Sequence, residues 1–312
     1  MAKLVMTLEQ MQDRDAWLQL RNTGIGGSDA AVILGVSPWK SALTLWAEKT
    51  GQKDPDDLSR NQRVYWGTKN ESNIADWFME ETGKKVFRRG MMRSEEHPFM
   101  LASVDREVVG EKAGLEIKTA GIDQAKKWMD DEVPDAYYLQ CQWYMAVTGY
   151  ERWYIAVLIG GNEARWKCIE RNEEQIRVLI EAAERFWQMV ESKTPPLPDG
   201  TKSSGDTLGD MYPGKRDGQV LDLRSPDVVQ AYENMKRFAE AEKFAGKAKE
   251  KAKQVIMSAM GEYEEASING HRVTWRTQTG RVTIDTKRLQ AEMPDVYEKY
   301  KKVGKQSRKF LG

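Results

Sequence analysis

The tetrapeptide Leu115-Glu116-Ile117-Lys118 alternates apolar and charged side chains. Alternate residues of a β-strand share a face, so Leu115 and Ile117 are predicted to enter the core, while Glu116 and Lys118 project together from the other face. Many strands with this pattern simply expose one face to solvent. The charged pair therefore indicates a functional site only if neighbouring elements bring further polar groups to the same place.

The segment before this strand supplies such a group. Asp105 ends the stretch Met100-Leu101-Ala102-Ser103-Val104-Asp105 and is separated from Glu116 by the short turn Gly110-Glu111-Lys112. A hairpin of this length can place the two carboxylates side by side, where they repel unless a cation neutralises them. Clustered carboxylates favour a hard, oxygen-seeking ion such as Mg²⁺ or Mn²⁺.

Glu71 is a candidate for a third carboxylate. It precedes Ile74, Ala75 and Phe78 by three, four and seven residues, which places it on the apolar stripe of a helix predicted over 68–82. A glutamate near a helix start can also be stabilised by the helix dipole alone. A carboxylate aimed at the core needs a partner, however, and a metal ion would provide one.

A second motif, Gly24-Ile25-Gly26-Gly27-Ser28, lies upstream and follows Arg21. Ser28 is predicted to cap a short helix that ends at Gly35. Glycines let a ligand approach the backbone, and the free N–H groups of a helix start attract anions. Most Gly-Gly-Ser turns bind nothing, but beside a guanidinium and a carboxylate metal site this one suggests a phosphate-binding pocket.

The order of the predicted elements indicates the fold class. A helix, three strands, a helix, two strands and a helix follow one another, which is typical of a mixed β-sheet flanked by helices in an α/β (α+β) fold. The strands are placed at 85–89, 99–109, 115–119, 153–159 and 165–169, and the helices at 28–34, 41–49, 68–82, 136–147 and 172–192. Because Trp39, Trp66, Trp143 and Trp153 occur at helical or strand spacing, we expect them to be mostly core.

The composition excludes several classes of protein. The 312 residues include 48 Lys+Arg and 48 Asp+Glu with 40% apolar residues, which argues against intrinsic disorder. No apolar run approaches the roughly 18–20 residues of a membrane span, and we expect no secretory signal. Two cysteines, Cys141 and Cys168, are too few for a disulfide scaffold or an iron–sulfur cluster, and His97 and His271 are too few for a histidine-built metal site. Carboxylates must hold any metal.

The neutral total hides a charge asymmetry. Residues 1–200 contain 26 Lys+Arg and 32 Asp+Glu, whereas residues 201–312 contain 22 and 16. The sign changes at the Pro-rich segment 194–200, and a Gly/Ser/Thr-rich stretch continues to Gly218, so we expect a linker or long loop there. We therefore predict a domain at 1–200 and a basic C-terminal extension at 201–312, with a long helix over 226–260 and a hairpin within 266–284. The excess of positive charge in 201–312 is compatible with binding to a polyanion, although scattered charges more often form a surface exposed to solvent.

In this order, the motifs resemble the YqaJ-type viral recombinases, relatives of phage lambda exonuclease in the PD-(D/E)XK nuclease superfamily. The resemblance covers roughly residues 15–190. It rests on Arg21 with Gly24-Ile25-Gly26-Gly27-Ser28-Asp29-Ala30-Ala31, Gly35-Val36-Ser37-Pro38-Trp39, Trp66-Gly67-Thr68 with Glu71, Ala102-Ser103-Val104-Asp105, Glu116-Ile117-Lys118 and Leu139-Gln140-Cys141-Gln142-Trp143-Tyr144.

The resemblance implies a PD-(D/E)XK nuclease core and a metal-dependent exonuclease. It would degrade one strand of duplex DNA from the 5′ end and leave a 3′ single-stranded tail for an annealing protein in phage-type recombination. The resemblance also implies a ring-shaped homotrimer acting at double-stranded DNA ends, away from membranes. Its setting would be the cytoplasm of a bacterial host, as a phage or prophage product.

The resemblance assigns the metal ligands by position. Asp105 and Glu116 would bind two Mg²⁺ ions, for which Mn²⁺ can substitute. The carbonyl of Ile117 would be a further ligand, and Glu71 would assist the second ion directly or through water.

It also assigns the residues around the metals. Lys118 would position or activate the attacking water, with its pKa lowered by the nearby cations. Gln140 would line the site, and Arg21 and Ser28 match residues that hold the 5′-terminal phosphate. One departure is Arg106, where many relatives have glycine after the metal ligand; we expect it to point to the opposite strand face from Asp105 and to leave that ligand intact.

Two alternatives remain open on the sequence. One is a PD-(D/E)XK endonuclease of restriction or RecB-like type, which would not need an end-phosphate pocket such as Arg21 with Gly26-Gly27-Ser28. The other is a DNA-binding protein without catalysis, using the lysine-rich helix near the C-terminus. Retention of the whole acidic set disfavours the second alternative, because unneutralised carboxylates repel DNA.

Overall fold

The computed structural model describes residues 2–129, 132–214 and 220–304. Within these ranges the chain forms two compact units, the first ending at Pro213 and the second beginning at Gly214. None of the helices in these ranges is long and apolar enough to cross a membrane.

In the first unit, β1 is followed by a run of helices, a run of strands, and then helices and strands that complete the sheet. Its strands are β1 (Ala2–Met6), β2 (Val86–Phe87), β3 (Met91–Ser94), β4 (Leu101–Ala102), β5 (Arg106–Val108), β6 (Ala113–Ala120), β7 (Arg152–Ile159) and β8 (Glu163–Glu170). Its helices are α1 (Arg14–Asn22), α2 (Gly27–Ile33), α3 (Ala42–Lys49), α4 (Gln62–Thr82), α5 (Asp135–Thr148), α6 (Glu173–Glu191) and α7 (Lys202–Met211).

The central sheet has the strand order β2-β5-β6-β7-β8. Strand β6 pairs in parallel with β7, while β2, β5 and β8 join by antiparallel pairing. A parallel pair requires a crossover connection, and α5 lies in it. The prediction of a mixed sheet flanked by helices is confirmed.

The expected single strand from Phe99 to Val109 is wrong. The chain divides there into β4, which pairs with β3 in a small sheet of order β1-β3-β4, and β5, which pairs with β2 and β6. Apolar alternation cannot reveal that the hydrogen-bonding partner changes between the two strands. Asp105 consequently lies where the chain enters the central sheet.

Both faces of β6 are covered. Leu115 and Ile117 pack with Ile74 and Phe78 of α4, as the alternation predicts. Glu116 is paired in register with Ile155 of β7, which belongs to the core cluster that includes α5. Because neighbouring residues in register share a face, Glu116 points toward α5.

Helix α7 occupies the stretch that we expected to be a linker, and it belongs to the first unit. The Thr201 side chain caps its first turn. The hydroxyl oxygens of Ser203 and Thr207 lie 2.8 and 2.7 Å from the Thr44 hydroxyl of α3. The small hydroxyl residues that suggested a flexible loop instead allow close, hydrogen-bonded helix packing.

The second unit contains the predicted long helix, α8 (Pro226–Met260), which Ser225 caps. Strands β9 (Glu265–Ile268) and β10 (His271–Thr274) form a hairpin that is shorter than expected, and α9 (Thr286–Glu292) and α10 (Pro294–Tyr300) follow. Asn269 and Gly270 form the two-residue turn of the hairpin, and both have positive φ, as a type I′ turn requires.

Candidate active site

Glu116 lies in the middle of β6 and is only 2% exposed. Its Oε1 atom accepts a hydrogen bond of 2.7 Å from Nε2 of Gln140 in α5 and another from Nζ of Lys118. Strand alternation puts Lys118 on the same face as Glu116. Glu116 is therefore buried, and Lys118, whose side chain is 21% exposed, contacts it from the same face of the strand.

Asp105 lies beside this pair. Strands β5 and β6 pair with Arg106 opposite Leu115, so the residue before Arg106 comes alongside Glu116. The Oδ2 atom of Asp105 accepts a hydrogen bond of 2.7 Å from the backbone N–H of Ile117. The structure thus brings the two carboxylates together across the hairpin.

Burial and repulsion perturb the titration of these groups. Burial, followed by the charge of Glu116, raises the pKa of Asp105 to about 8. Burial also raises the pKa of Glu116, although the charge of Lys118 opposes it. Burial would lower the pKa of Lys118, but the charges of Glu116 and Asp105 outweigh it and leave this pKa above its usual value. When both carboxylates are ionised, the site carries more negative charge than Lys118 neutralises, and a bound cation would relieve this repulsion.

The residues present fit a divalent ion. The second oxygen of Glu116, Oε2, is buried and has no hydrogen-bond partner in the part of the chain that the structure describes, which is costly for a carboxylate. With the Asp105 carboxylate and the Ile117 carbonyl it offers the hard oxygen donors that Mg²⁺ and Mn²⁺ prefer. Among the described residues no group of three His, Cys, Asp or Glu side chains lies close enough together to hold a metal ion. A site with two carboxylates is compatible with Mg²⁺, which is commonly bound by one or two carboxylates and completes its coordination shell with water and phosphate oxygens.

Glu71 does lie near this site, but its partner in the structure is Arg106. Nη1 of Arg106 lies 2.5 Å from Oε1 of Glu71 and also donates a 2.6 Å hydrogen bond to the carbonyl oxygen of Asp105. The Arg106 side chain is 9% exposed and that of Glu71 25%. The carboxylate expected to need a metal is therefore paired through Oε1 with a guanidinium from the neighbouring strand.

Tyr144 belongs to the site and was not among the predicted residues. Its hydroxyl accepts a 2.9 Å hydrogen bond from Nε2 of Gln140 and donates one of 3.0 Å to the Ser103 carbonyl. Tyr144 therefore holds the glutamine that contacts Glu116. The four-residue spacing of Gln140 and Tyr144 on a helix predicted to be buried was the available signal.

Arg21 and Ser28 come together as the phosphate-pocket hypothesis requires. Nη2 of Arg21 donates 2.9 Å hydrogen bonds to Oγ of Ser28 and to Oδ1 of Asp29. Helix α2 begins at Gly27 with Gly26 as its N-cap, so the expectation that Ser28 caps it is wrong. Because Ser28 does not cap the helix, its hydroxyl contacts the Arg21 guanidinium instead, and the residue is exposed to solvent.

The buried Asp29 organises this pocket. It accepts a 2.9 Å hydrogen bond from the Gly26 N–H, and Nζ of Lys49 lies 3.5 Å from its Oδ2. Burial raises the pKa of Asp29, but the charges of Arg21 and Lys49 outweigh this effect and lower it overall. Two cations against one carboxylate leave a net positive pocket.

Gly26 and Gly27 each allow another side chain to lie closer to the backbone than a residue with a Cβ atom would permit. A Cβ atom on Gly26 would lie 2.5 Å from Nη1 of Arg21, and one on Gly27 would lie 2.5 Å from Cε1 of Tyr144. Gly27 therefore packs directly on the tyrosine that positions Gln140. Helix α2 and the carboxylate site share this contact.

Gly27→Ala is expected to lower the free energy of unfolding by about 1–3 kcal/mol, because the new methyl group overpacks the contact with Tyr144. Gly67→Ala is the matched control. Its Cβ would meet only Oγ1 of Thr119 at 3.6 Å, and alanine in a helix interior should raise stability by about 0.5–1 kcal/mol. Urea denaturation measures both variants; equal effects would contradict the close contact at Gly27.

The four tryptophans that we expected in the core divide into two groups. Trp143 and Trp153 are fully buried, as expected for core residues, whereas Trp39 is 67% and Trp66 56% exposed. The expectation of a core role is therefore wrong for Trp39 and Trp66. Motif spacing does not distinguish a ring that packs inward from an exposed one, whether that ring lies in a loop, as Trp39 does, or on helix α4, as Trp66 does.

Two comparisons bear on the family. Residues 16–151 match the model of the YqaJ-like viral recombinase domain. The chain is also 37% identical over 303 residues to the YqaJ protein of Bacillus subtilis (strain 168), across 96% of this chain and 94% of that protein.

Solved structures of low sequence identity are also similar. The alkaline exonuclease LHK-Exo from Laribacter hongkongensis aligns with a TM-score of 0.49 at 19% identity, over 57% of this chain and 93% of that one. A phage-related exonuclease from Haemophilus somnus 129PT aligns with a TM-score of 0.41 at 15% identity, over 57% and 99% of the two chains.

Proposed function

Because this chain belongs to the family of YqaJ-like viral recombinases, we propose that it is a metal-dependent deoxyribonuclease that degrades one strand of double-stranded DNA from its 5′ end. The observation that carries the proposal is the carboxylate pair of the partly buried Asp105 and the buried Glu116, with Lys118 in contact and with a Glu116 oxygen that has no hydrogen-bond partner among the described residues. A protein that only bound DNA would gain nothing from holding two repelling carboxylates together away from solvent.

Asp105, Glu116 and the Ile117 carbonyl would hold Mg²⁺, with Mn²⁺ as a substitute. Glu71 would assist a second ion, and its contact with Arg106 engages only Oε1. When bound, two ions stabilise both the attacking and the leaving oxygen of phosphodiester hydrolysis.

The side chains of the site orient the reacting water. Lys118 lies against Glu116 and can donate a hydrogen bond to the water that attacks phosphorus. Its raised pKa keeps it protonated without metal, so a role as proton acceptor requires nearby positive charge to lower that pKa. Gln140 fixes the Glu116 carboxylate through Oε1. Attack of water breaks the bond from phosphorus to the 3′ oxygen and releases a nucleoside 5′-monophosphate.

Arg21 and Ser28 would hold the 5′-terminal phosphate of the strand being degraded. The guanidinium is fixed by Asp29, and the Ser28 hydroxyl beside it is exposed. A site for the terminal phosphate gives the enzyme its end preference and its polarity. The product is a duplex with a 3′ single-stranded tail, the substrate of a single-strand annealing protein, and a homotrimer around the DNA would make digestion processive.

A linear duplex with one labelled strand tests the proposal. With Mg²⁺ we expect stepwise loss of nucleotides from the 5′ end, while a closed circular plasmid stays intact. Cleavage of the circle would establish an endonuclease instead. A salt-sensitive mobility shift without digestion would establish DNA binding alone.

Arg21→Gln is expected to slow digestion of 5′-phosphorylated ends by about tenfold or more, since hydrogen bonds to charged groups contribute about 1.5–3 kcal/mol. Digestion of 5′-hydroxyl ends should change little, and this substrate controls for folding of the variant. Initial rates on the two substrates give the ratio. An equal loss on both would remove Arg21 from phosphate recognition.

A further inference from the structure

The loop between α2 and α3 carries the exposed ring of Trp39. Gly35, at φ 71°, ends α2, and the N–H groups of Val36 and Ser37 both donate to the Ala31 carbonyl at 3.0 Å. Ser41 then caps α3. The ring therefore stands on a loop that is anchored at both ends, so little conformational entropy is lost when a ligand binds it.

Trp39 is the outer member of a stack of three aromatic rings. Its ring centroid lies 6.3 Å from that of Tyr137 at an interplanar angle of 28°, and Tyr137 lies 5.6 Å from Trp128 at 24°. Trp128 is 2% exposed, whereas Trp39 is 67% exposed. In the described part of the chain, Tyr137 is the one ring that packs on Trp39. The stack runs outward from the core and ends in an open aromatic face.

The same stack touches the candidate active site. Nζ of Lys118 lies 4.9 Å from the centroid of the Tyr137 ring, so only two contacts separate the exposed ring from the lysine beside Glu116. The loop also follows α2, which starts at the pocket of Arg21 and Ser28 and is seven residues, or about 10 Å, long. Trp39 is therefore connected to Lys118 through the Tyr137 ring and to the pocket of Arg21 and Ser28 through helix α2.

Space and charge beside the ring favour a planar, largely uncharged group. Trp39 lines a pocket of about 300 Å³ together with Lys40, Lys53 and Lys202. Each of these lysines is already paired with a carboxylate. Attraction of phosphates is therefore weak here, and the aromatic face is the main source of binding energy.

We propose that Trp39, supported by Tyr137, is a stacking platform for a nucleobase at the DNA end, adjacent to the bond that is cleaved. This inference rests on the proposed nuclease function and adds a base-binding site to it. Every base has a flat π-face, so the platform binds bases of any sequence and does not read hydrogen-bonding edges. It holds the terminal nucleotide in place while the phosphate on the 3′ side of that nucleotide, which carries the bond to be cleaved, lies at the carboxylates.

The test is a comparison of Trp39→Leu and Trp39→Phe in binding to a duplex end. Affinity is measured by fluorescence anisotropy of 5′-phosphorylated duplexes with Ca²⁺ in place of Mg²⁺. We expect Trp39→Leu to bind about tenfold more weakly, since stacking on an aromatic side chain contributes about 1–3 kcal/mol per base. Trp39→Phe, which keeps a smaller aromatic face, should remain within about threefold of the wild type.

Abasic substrates separate stacking from a structural effect. On a duplex that lacks the bases at its two terminal positions, the wild type should fall to the affinity of Trp39→Leu, and the variant should lose nothing further. The slope of affinity against salt should be the same for both proteins, because no phosphate contact is removed. An equal loss for Trp39→Leu on intact and abasic ends would overturn the platform.

These measurements distinguish failure of the stacking platform from failure of the proposed nuclease function. If the wild type neither binds nor degrades linear DNA, the proposed function fails. If the wild type degrades DNA and Trp39→Leu matches it in affinity and rate on intact ends, only the platform fails.

Discussion

Asp105→Asn is expected to abolish DNA degradation, by about a thousandfold or more, in a protein that still folds. Asparagine keeps the size of the side chain and can accept the hydrogen bond from the Ile117 N–H, but it removes one of two anionic metal ligands. Metal ions contribute several kcal/mol to such transition states, and about 1.4 kcal/mol corresponds to a factor of ten. Release of labelled nucleotide from a linear duplex with Mg²⁺ measures the loss.

The same substitution should stabilise the metal-free protein at alkaline pH. The folded-state pKa of Asp105 is raised to about 8 from an ordinary value of 3.8, so between these values the folded protein holds a proton that the unfolded chain has released. The free energy of unfolding therefore falls as pH rises toward 8, and above pH 8 the wild type carries a partly buried carboxylate that Glu116 repels. We expect the melting temperature of the metal-free wild type to decline between about pH 4 and 8 and that of Asp105→Asn to decline less.

Thermal melts with and without Mg²⁺ provide the control for both effects. Mg²⁺ should raise the melting temperature of the wild type at pH 8 and have a smaller effect on Asp105→Asn, because binding to the folded state alone stabilises it. Full nuclease activity in the variant, or identical pH profiles of the two proteins, would contradict the role of Asp105.

Lys118→Met is expected to reduce the rate of digestion by about 10²–10⁴, the usual contribution of a group that transfers or orients a proton. Methionine retains the length of the side chain and its packing on Tyr137 but loses the ammonium that contacts Glu116. DNA affinity should change much less than the rate. Single-turnover digestion of a labelled duplex with Mg²⁺ separates the two quantities.

Lys118→Arg distinguishes the two roles open to this lysine. Arginine keeps the positive charge but is never deprotonated in proteins, so it cannot accept a proton from water. A loss similar to that of Lys118→Met indicates proton acceptance, whereas substantial retained activity indicates that charge and orientation suffice. Wild-type rates in Lys118→Met would exclude both roles.

The carboxylate pair could be predicted because its geometry is local. Two strands joined by a short turn determine that Asp105 comes alongside Glu116, and alternation determines that Lys118 shares the face of Glu116. The contact of Arg21 with Ser28 was also predictable, since both residues lie within one short motif. In each case few residues of chain separate the partners, so spacing alone restricts their relative positions.

The partner of Glu71 could not be predicted, because the contact depends on packing between distant segments. Arg106 and Glu71 come together only when α4 packs on the central sheet, and the helical stripe indicated that Glu71 needs a partner without identifying it. Tyr144 and Asp29 were missed for a similar reason. Their roles follow from what they touch across the fold, namely the Ser103 carbonyl and Lys49.

The exposure of Trp39 is a further property that only the folded chain decides. Its motif places it between two short helices, but whether the ring faces the core depends on where those helices pack and on the stack that Tyr137 and Trp128 provide. The sequence by itself determined the mixed α/β fold, the hairpin with its two carboxylates and the family. Tertiary structure decided which side chains are paired within the chain, as Glu71 and Asp29 are, and which oxygen has no hydrogen-bond partner among the described residues, as with Oε2 of Glu116. The physical reason is that burial and pairing of a side chain depend on segments that are far apart in the chain, whereas the periodicity of apolar and polar residues reflects only residues that are close in sequence.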